Sequence, residues 1–288
     1  MSKFDIETMD EIYTTKFKRI FSDKMLSNMS VEEKKQYYED LRCYIKSLDY
    51  DKDKIELDEK HFLKAAKVIV SAFEFIYRPK AFNTKKDNKS EVGTIYVSNH
   101  LGSLDQFAVI SAIGKDKPLH VLASSTLLKL KRGKLYKYAG CIFMDLKNAK
   151  NMLEGLTEFE KVLLDGRDVL IFPEGTRNTT DNFILEFLPG AIMASRDTGA
   201  KIVPFAVNEN YKVFGDSLYV RRGEDFVDDL NDNTEQACKK LQEEIAKLIW
   251  ENMELERQNN NLEQREQLIE RHKRKQFAIE KQRRKINN

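Results

Sequence analysis

Between Gly93 and Val207, short, mostly apolar runs alternate with longer stretches whose apolar residues recur every three or four positions. The short runs predict strands over 93–98, 118–123, 141–145, 168–172 and 201–207. The stretches between them predict helices near 104–113, 124–138, 148–164 and 189–197. A further strand, Ser217 to Arg221, is expected at a sheet edge. Regular alternation of this kind is the mark of an α/β fold: a central mixed β-sheet flanked by helices.

The flanks read differently. Residues 1–50 have a helical pattern, and Ser30 with Glu33 forms a capping-box signature for a helix running toward Ser47. A second helix is expected over His61 to Tyr77. Its polar residues Lys64, Lys67, Ser71 and Glu74, continued by Arg78, follow steps of 3, 4, 3 and 4 and share one narrow stripe. Because the rest is apolar, this helix should bury most of its girth, in the protein or in a membrane interface. From about Asp232 one long helix is predicted. Leu241, Leu248, Leu255, Leu262 and Ile269 recur every seven residues, but the companion positions Ile245, Asn252, Asn259 and Glu266 are mostly polar. The pattern leaves a coiled-coil homodimer and a surface-lying helix both open. The implied divisions are a helical segment 1–60, an α/β domain 61–231 and a C-terminal helix with basic tail 232–288.

Composition narrows this further. The 288 residues are 41% hydrophobic and 33% charged, with a formal net charge of +2, so the charge is local rather than global. Arg271 to Lys285 holds eight Lys or Arg against one Glu, which suits anionic lipid headgroups or a solvated tail. It offers one aromatic and no recognised nucleic-acid module, so no nucleic-acid partner is expected. Three scattered cysteines, Cys43, Cys141 and Cys238, form no disulfide framework or zinc spacing and suit a reducing compartment. Residues 1–13 are acidic and lack a signal core, and no apolar run reaches the ~18–20 residues of a spanning helix. A cytoplasmic protein, peripheral at the inner face of the cell membrane, is the expectation.

Two stretches carry chemistry. In Ser98–Phe107 a strand ends at Asn99-His100, and Asp105 follows five positions later in the first turn of a helix expected to open with a Ser103/Gln106 capping box. A carboxylate there can hold one imidazole N–H and leave the other nitrogen to take a proton. Taken alone, the pair reads more readily as a histidine satisfied by a turn. Neither Ser98 nor Ser103 sits in a nucleophile elbow, and His61, His120 and His272 show no ligand spacing, so no metal is expected. In the second stretch an apolar strand runs into Phe172-Pro173-Glu174-Gly175-Thr176-Arg177. Gly175 permits close backbone approach, and Arg177 presents a planar fork of donors suited to phosphate.

Together with Gly140-Cys-Ile-Phe143-Met-Asp145 and Ile202-Val-Pro204-Phe205, these stretches resemble, in order and spacing, four sequence blocks of the glycerolipid acyltransferases of the lysophosphatidic acid acyltransferase type. The resemblance covers about residues 90–210. It implies transfer of a fatty acyl group from acyl-coenzyme A or acyl carrier protein, as co-substrate, to a lysophospholipid hydroxyl, with no bound cofactor. His100 would be the general base and Asp105 its orienting partner. Asn99, Phe143, Lys147, Glu174, Gly175, Thr176 and Arg177 would bind substrate, and Pro204 would shape the wall. Backbone N–H groups near the helix start are candidate oxyanion donors. Two positions depart from the family pattern: Leu146 stands where an Arg is usual, and Leu188 follows Phe187 where a Lys is usual. Another lysolipid or an amino-acid lipid is therefore an alternative acceptor, and a non-catalytic lipid-binding scaffold is a rival reading. The basic run Lys129, Lys131, Arg132, Lys134 and Lys137 is a candidate contact for coenzyme A phosphates, an acidic acyl carrier protein or anionic headgroups, against the more frequent reading as a solvated helix face.

Overall fold

The computed structural model describes residues 25–49, 52–85, 90–129, 136, 140–145, 147–180, 182–208 and 218–259. The elements run α1 (Val31–Ser47), α2 (Lys52–Tyr77), β1 (Lys80–Phe82), β2 (Ile95–Ser98), α3 (Asp105–Ile113), β3 (Leu119–Ser124), β4 (Cys141–Met144), α4 (Ala149–Leu164), β5 (Asp168–Ile171), α5 (Gly190–Thr198), β6 (Ile202–Val207), β7 (Tyr219–Arg222) and α6 (Thr234–Asn259). The seven strands form one sheet in the order β1-β7-β6-β2-β5-β3-β4. Strands β2 to β6 are mutually parallel, whereas β7 runs antiparallel to β6 and parallel to β1. All five parallel strands therefore end at one edge of the sheet, where open α/β sheets bind ligands.

The apolar runs are continuous because the central strands are covered on both faces. Successive side chains point to opposite sides. Tyr96, Leu170, Val203, Phe205 and Val207 share a core with α2 and α3. Ile95, Val97, Val169, Ile171, Ile202 and Ala206 share another with α4, α5 and α6. Helix α1 begins with the expected capping box at Ser30 and Glu33. It packs Tyr37, Tyr38, Leu41, Tyr44 and Ile45 against Leu153, Leu164 and Leu230.

Three expectations change. Strand β7 is not at the edge, because the three-residue β1, too short to show a period, pairs outside it. Helix α2 starts nine residues earlier than predicted, at Lys52 rather than His61, and buries one stripe only: Phe62, Ala66, Val70 and Phe73. Val68 and Phe75 stand 71% and 68% exposed, so the helix does not bury most of its girth. Only the later part of its polar stripe meets a neighbour: Glu74 accepts from Ser111 Oγ (2.9 Å) and Lys115 Nζ (2.7 Å), while Lys64 and Lys67 are exposed. Finally, the predicted helix 124–138 opens as a 3-10 turn, Ser125–Lys129, and most of the rest lies outside the described residues.

In α6, Leu241, Ile245 and Leu248 sink into the chain's own core. Asn252, also fully buried, donates to the Ala206 carbonyl (3.2 Å) and accepts from Arg221 Nε (3.1 Å). The polar residue in the heptad seam is thus the partner of a sheet backbone. This half of the seam is occupied within the chain, and Leu262, Ile269 and the basic tail lie outside the described residues. Among the described residues no helix is long and apolar enough to cross a membrane.

Candidate active site

Strand β2 delivers Asn99 and His100 to the common strand-end edge, and α3 starts at Asp105. The N-cap position is Leu104, with no side-chain cap, so the Ser103 capping box does not form; Gln106 instead donates to the Ser103 carbonyl (2.8 Å). The first turn is organised by Asp105. Its Oδ2 accepts from His100 Nδ1 at 2.8 Å and from the amides of Leu101 (2.6 Å) and Gly102 (2.7 Å). Asp105 is fully buried, whereas the His100 side chain keeps 17% of its surface. A carboxylate only accepts, so Nδ1 carries the hydrogen, and in the neutral ring Nε2 presents a lone pair. The Phe172 ring lies against the imidazole at 4.2 Å and 20°, covering one face.

The loop after β5 grips the His100 backbone from both sides. Glu174 Oε1 accepts the His100 amide (2.7 Å), and the Asn178 amide donates to the His100 carbonyl (2.7 Å). The other Glu174 oxygen accepts the Leu185 amide (3.0 Å). Glu174 is therefore spent on backbone donors and does not bind the Arg177 guanidinium. Gly175 adopts φ 63, a conformation that side chains disfavour, and lets the chain turn back toward Asn178. Gly175 and Thr176 are exposed. Arg177 is half-buried, and among the described residues its guanidinium has no hydrogen-bond or ion-pair partner.

Other predicted site residues lie apart. Asn99 uses both ends of its amide on Val207: Nδ2 donates to the carbonyl (3.0 Å) and Oδ1 accepts the amide (2.8 Å). It ties β2 to β6 rather than facing a ligand. Pro204 is buried within β6, paired with Val97. Its missing N–H falls on the β7 side, where its carbonyl accepts from Gly223 (2.8 Å). Phe143 and Lys147 belong to β4 and the turn after it, three strands from β2, about 14 Å away. Lys147 is exposed at the same sheet edge, and Leu146 lies outside the described residues. The Leu101 and Gly102 amides are committed to Asp105, which removes them as oxyanion donors.

Burial is the main cause that pushes the Glu174 carboxyl up from 4.5 to about 7; the Asp105 charge adds to it, against the two amide bonds. The folded chain then holds this proton more tightly than the unfolded one. Its stabilising contribution is full below pH 4.5 and is lost as pH rises through about 7. Unfolding free energies followed from pH 4.5 to 8 should therefore fall about 3 kcal/mol less in Glu174→Gln than in the wild type. Parallel profiles would refute the assignment.

Residues 80–208 match a family model described as Acyltransferase. The chain is 30% identical over 142 residues to a "Probable 1-acyl-sn-glycerol-3-phosphate acyltransferase" of Mycoplasma pneumoniae, covering 48% of this chain and 53% of that protein. The protein of the same name in Mycoplasma genitalium is 26% identical over 202 residues, 69% of this chain and 75% of its own. A 1-acyl-sn-glycerol-3-phosphate acyltransferase of Borreliella burgdorferi is 26% identical over 163 residues, covering 56% and 59%. The chain thus spans about half the length of the first of these relatives. Among solved structures, the 1-acyl-sn-glycerophosphate (LPA) acyltransferase PlsC from Thermotoga maritima matches with a TM-score of 0.51 at 18% identity, over 75% of this chain and 88% of that one. At that identity the likeness is one of fold.

Proposed function

We propose that this chain is an acyltransferase that moves a fatty acyl group from a thioester to the free hydroxyl of a lysophospholipid, with lysophosphatidic acid as acceptor; the match of residues 80–208 to the acyltransferase family model and the similarity to the named relatives support this reading. The observation that carries this reading is the His100–Asp105 pair, with Nδ1 held at 2.8 Å and Nε2 turned away from its carboxylate partner. In the proposed reaction Nε2 takes the acceptor's hydroxyl proton while the oxygen attacks the thioester carbonyl. The tetrahedral intermediate collapses, the C–S bond breaks, and the thiolate leaves and collects the proton from the imidazolium. The Asp105 charge favours the transient imidazolium.

Direct transfer fits the thiols. Burial foremost, then the Asp58 charge, pushes the Cys141 thiol up to about 12, and this residue opens β4, at the opposite end of the strand from the strand-end edge. Cys43 lies on α1 and Cys238 is buried on α6. The donor is an acyl-coenzyme A or an acyl carrier protein, and the protein works at an anionic membrane surface.

In this scheme Arg177 holds the acceptor phosphate through a paired fork of donors. A mass-spectrometric assay of purified protein with a long-chain acyl thioester and a panel of lysolipids tests the reading. Arg177→Lys is expected to raise KM for lysophosphatidic acid about tenfold and change kcat by less than about threefold, since one bond of the fork is lost. Product from a different lysolipid or an amino-acid lipid, with none from lysophosphatidic acid, would move the acceptor. No product with either donor type would discard catalysis and favour a lipid-binding scaffold.

A further inference from the structure

The segment after Arg177 crosses the site edge and returns at Leu188, whose amide donates to the Pro173 carbonyl (2.8 Å). Midway, both backbone groups of Leu185 are engaged. Its amide donates to Glu174 Oε2 (3.0 Å), and its carbonyl accepts from Gln242 Nε2 (2.8 Å). Because Glu174 Oε1 takes the His100 amide (2.7 Å), three consecutive contacts join helix α6 to the His100 backbone. The same segment leans on the same helix a second time: the Phe183 ring lies 6.3 Å from the Trp250 ring. Residue 242 lies beyond the residues 80–208 that match the family model.

Asp105 orients the imidazole within its own loop, but the position of that loop against β5 rests on Glu174 and Asn178. Of the two donors on Glu174, the Leu185 amide belongs to irregular backbone, which keeps its place only through what it touches. Remove the Gln242 donor and the Leu185 carbonyl loses its tether. The grip on the His100 amide then loosens, and sub-ångström displacement of a catalytic group is costly in rate.

We propose that Gln242 is a positioning residue for His100, acting through Leu185 and Glu174, so that the C-terminal helix is part of the catalytic apparatus. The kinetic consequence rests on the general-base reading of His100; the geometric one does not.

The test uses the full chain and three variants. Gln242→Met keeps size and removes the donor. Gln242→Lys restores a donor of similar reach. Glu243→Ala alters the exposed neighbouring position. The first readout is the ring resonances of His100 in ¹⁵N-histidine-labelled protein, identified by their loss in His100→Ala. They should shift or broaden in Gln242→Met and return toward wild type in Gln242→Lys and Glu243→Ala. The second is kinetic: kcat should fall about 5- to 20-fold in Gln242→Met, with both KM values held within about twofold and partial recovery in Gln242→Lys. The third needs no variant, since hydrogen exchange at the Leu185 and His100 amides should be slow in the native protein. Unmoved His100 resonances in Gln242→Met, equal loss in the Met and Lys variants, or rapid exchange at the Leu185 amide would each overturn the proposal. If the wild type shows no turnover with any acceptor, the acyltransferase reading fails, while the resonances and the exchange rates still decide the relay.

Discussion

His100→Ala is expected to lower kcat for acyl transfer by about 10³-fold, within the range that general-base catalysis contributes. Its stability should stay within about 1 kcal/mol of wild type, as for changes outside the core networks. The argument is geometric. The side chain is bonded to Asp105 and stacked on Phe172, both at the sheet edge. The backbone bonds that secure the loop, to Glu174 and from Asn178, involve the amide and carbonyl of residue 100 and survive truncation. Asp105 keeps the Leu101 and Gly102 amides. The variant should therefore fold with an empty place beside Phe172, and added imidazole should restore part of the rate. Mass-spectrometric product formation, read beside a denaturation curve, checks both halves. Activity within tenfold of wild type would remove His100 from the chemistry, and a collapsed melting transition would reassign it to the fold.

Much of this architecture is legible in the residues. Runs such as Ile95-Tyr96-Val97 are apolar without alternation because both faces are covered, which already excludes a half-exposed sheet. Asp105, five positions after His100, is likewise readable, because a helix start at a strand end brings the two together. What was not legible depends on neighbours distant in the chain. The exposed Val68 and Phe75 look like core until Glu74 is seen to face Ser111 and Lys115. Strand β1 is too short to display a period. Asn99 and Glu174 are polar residues in a motif and read naturally as ligand contacts. Their partners are backbone groups of Val207, Leu185 and His100, which leave no mark in the side-chain pattern. For the same reason nothing before the fold points to Leu185 or Gln242.

Asp105→Asn should behave differently from His100→Ala, and the contrast separates two roles of one carboxylate. We expect kcat to fall at least about 10²-fold and stability to fall by about 2–4 kcal/mol, because a fully buried charged acceptor serving several donors is being neutralised. One oxygen now receives Nδ1 of His100 and the Leu101 and Gly102 amides. An amide turned oxygen-inward keeps all three bonds as weaker neutral ones; turned nitrogen-inward it faces three donors with a fourth. Either way the imidazolium loses its counter-charge. A second consequence reaches Glu174, whose carboxyl is raised first by burial and further by the Asp105 charge. Neutralising Asp105 should lower that carboxyl below about 7. The decline in stability between pH 4.5 and 8 should then become shallower than in wild type, with its upper limit moved to lower pH. Unfolding curves across that range, recorded for Asp105→Asn beside His100→Ala, provide the check. A profile for Asp105→Asn parallel to wild type would show that the two buried carboxyls do not sense each other, and an undiminished stability would show that the first turn of α3 does not depend on this side chain.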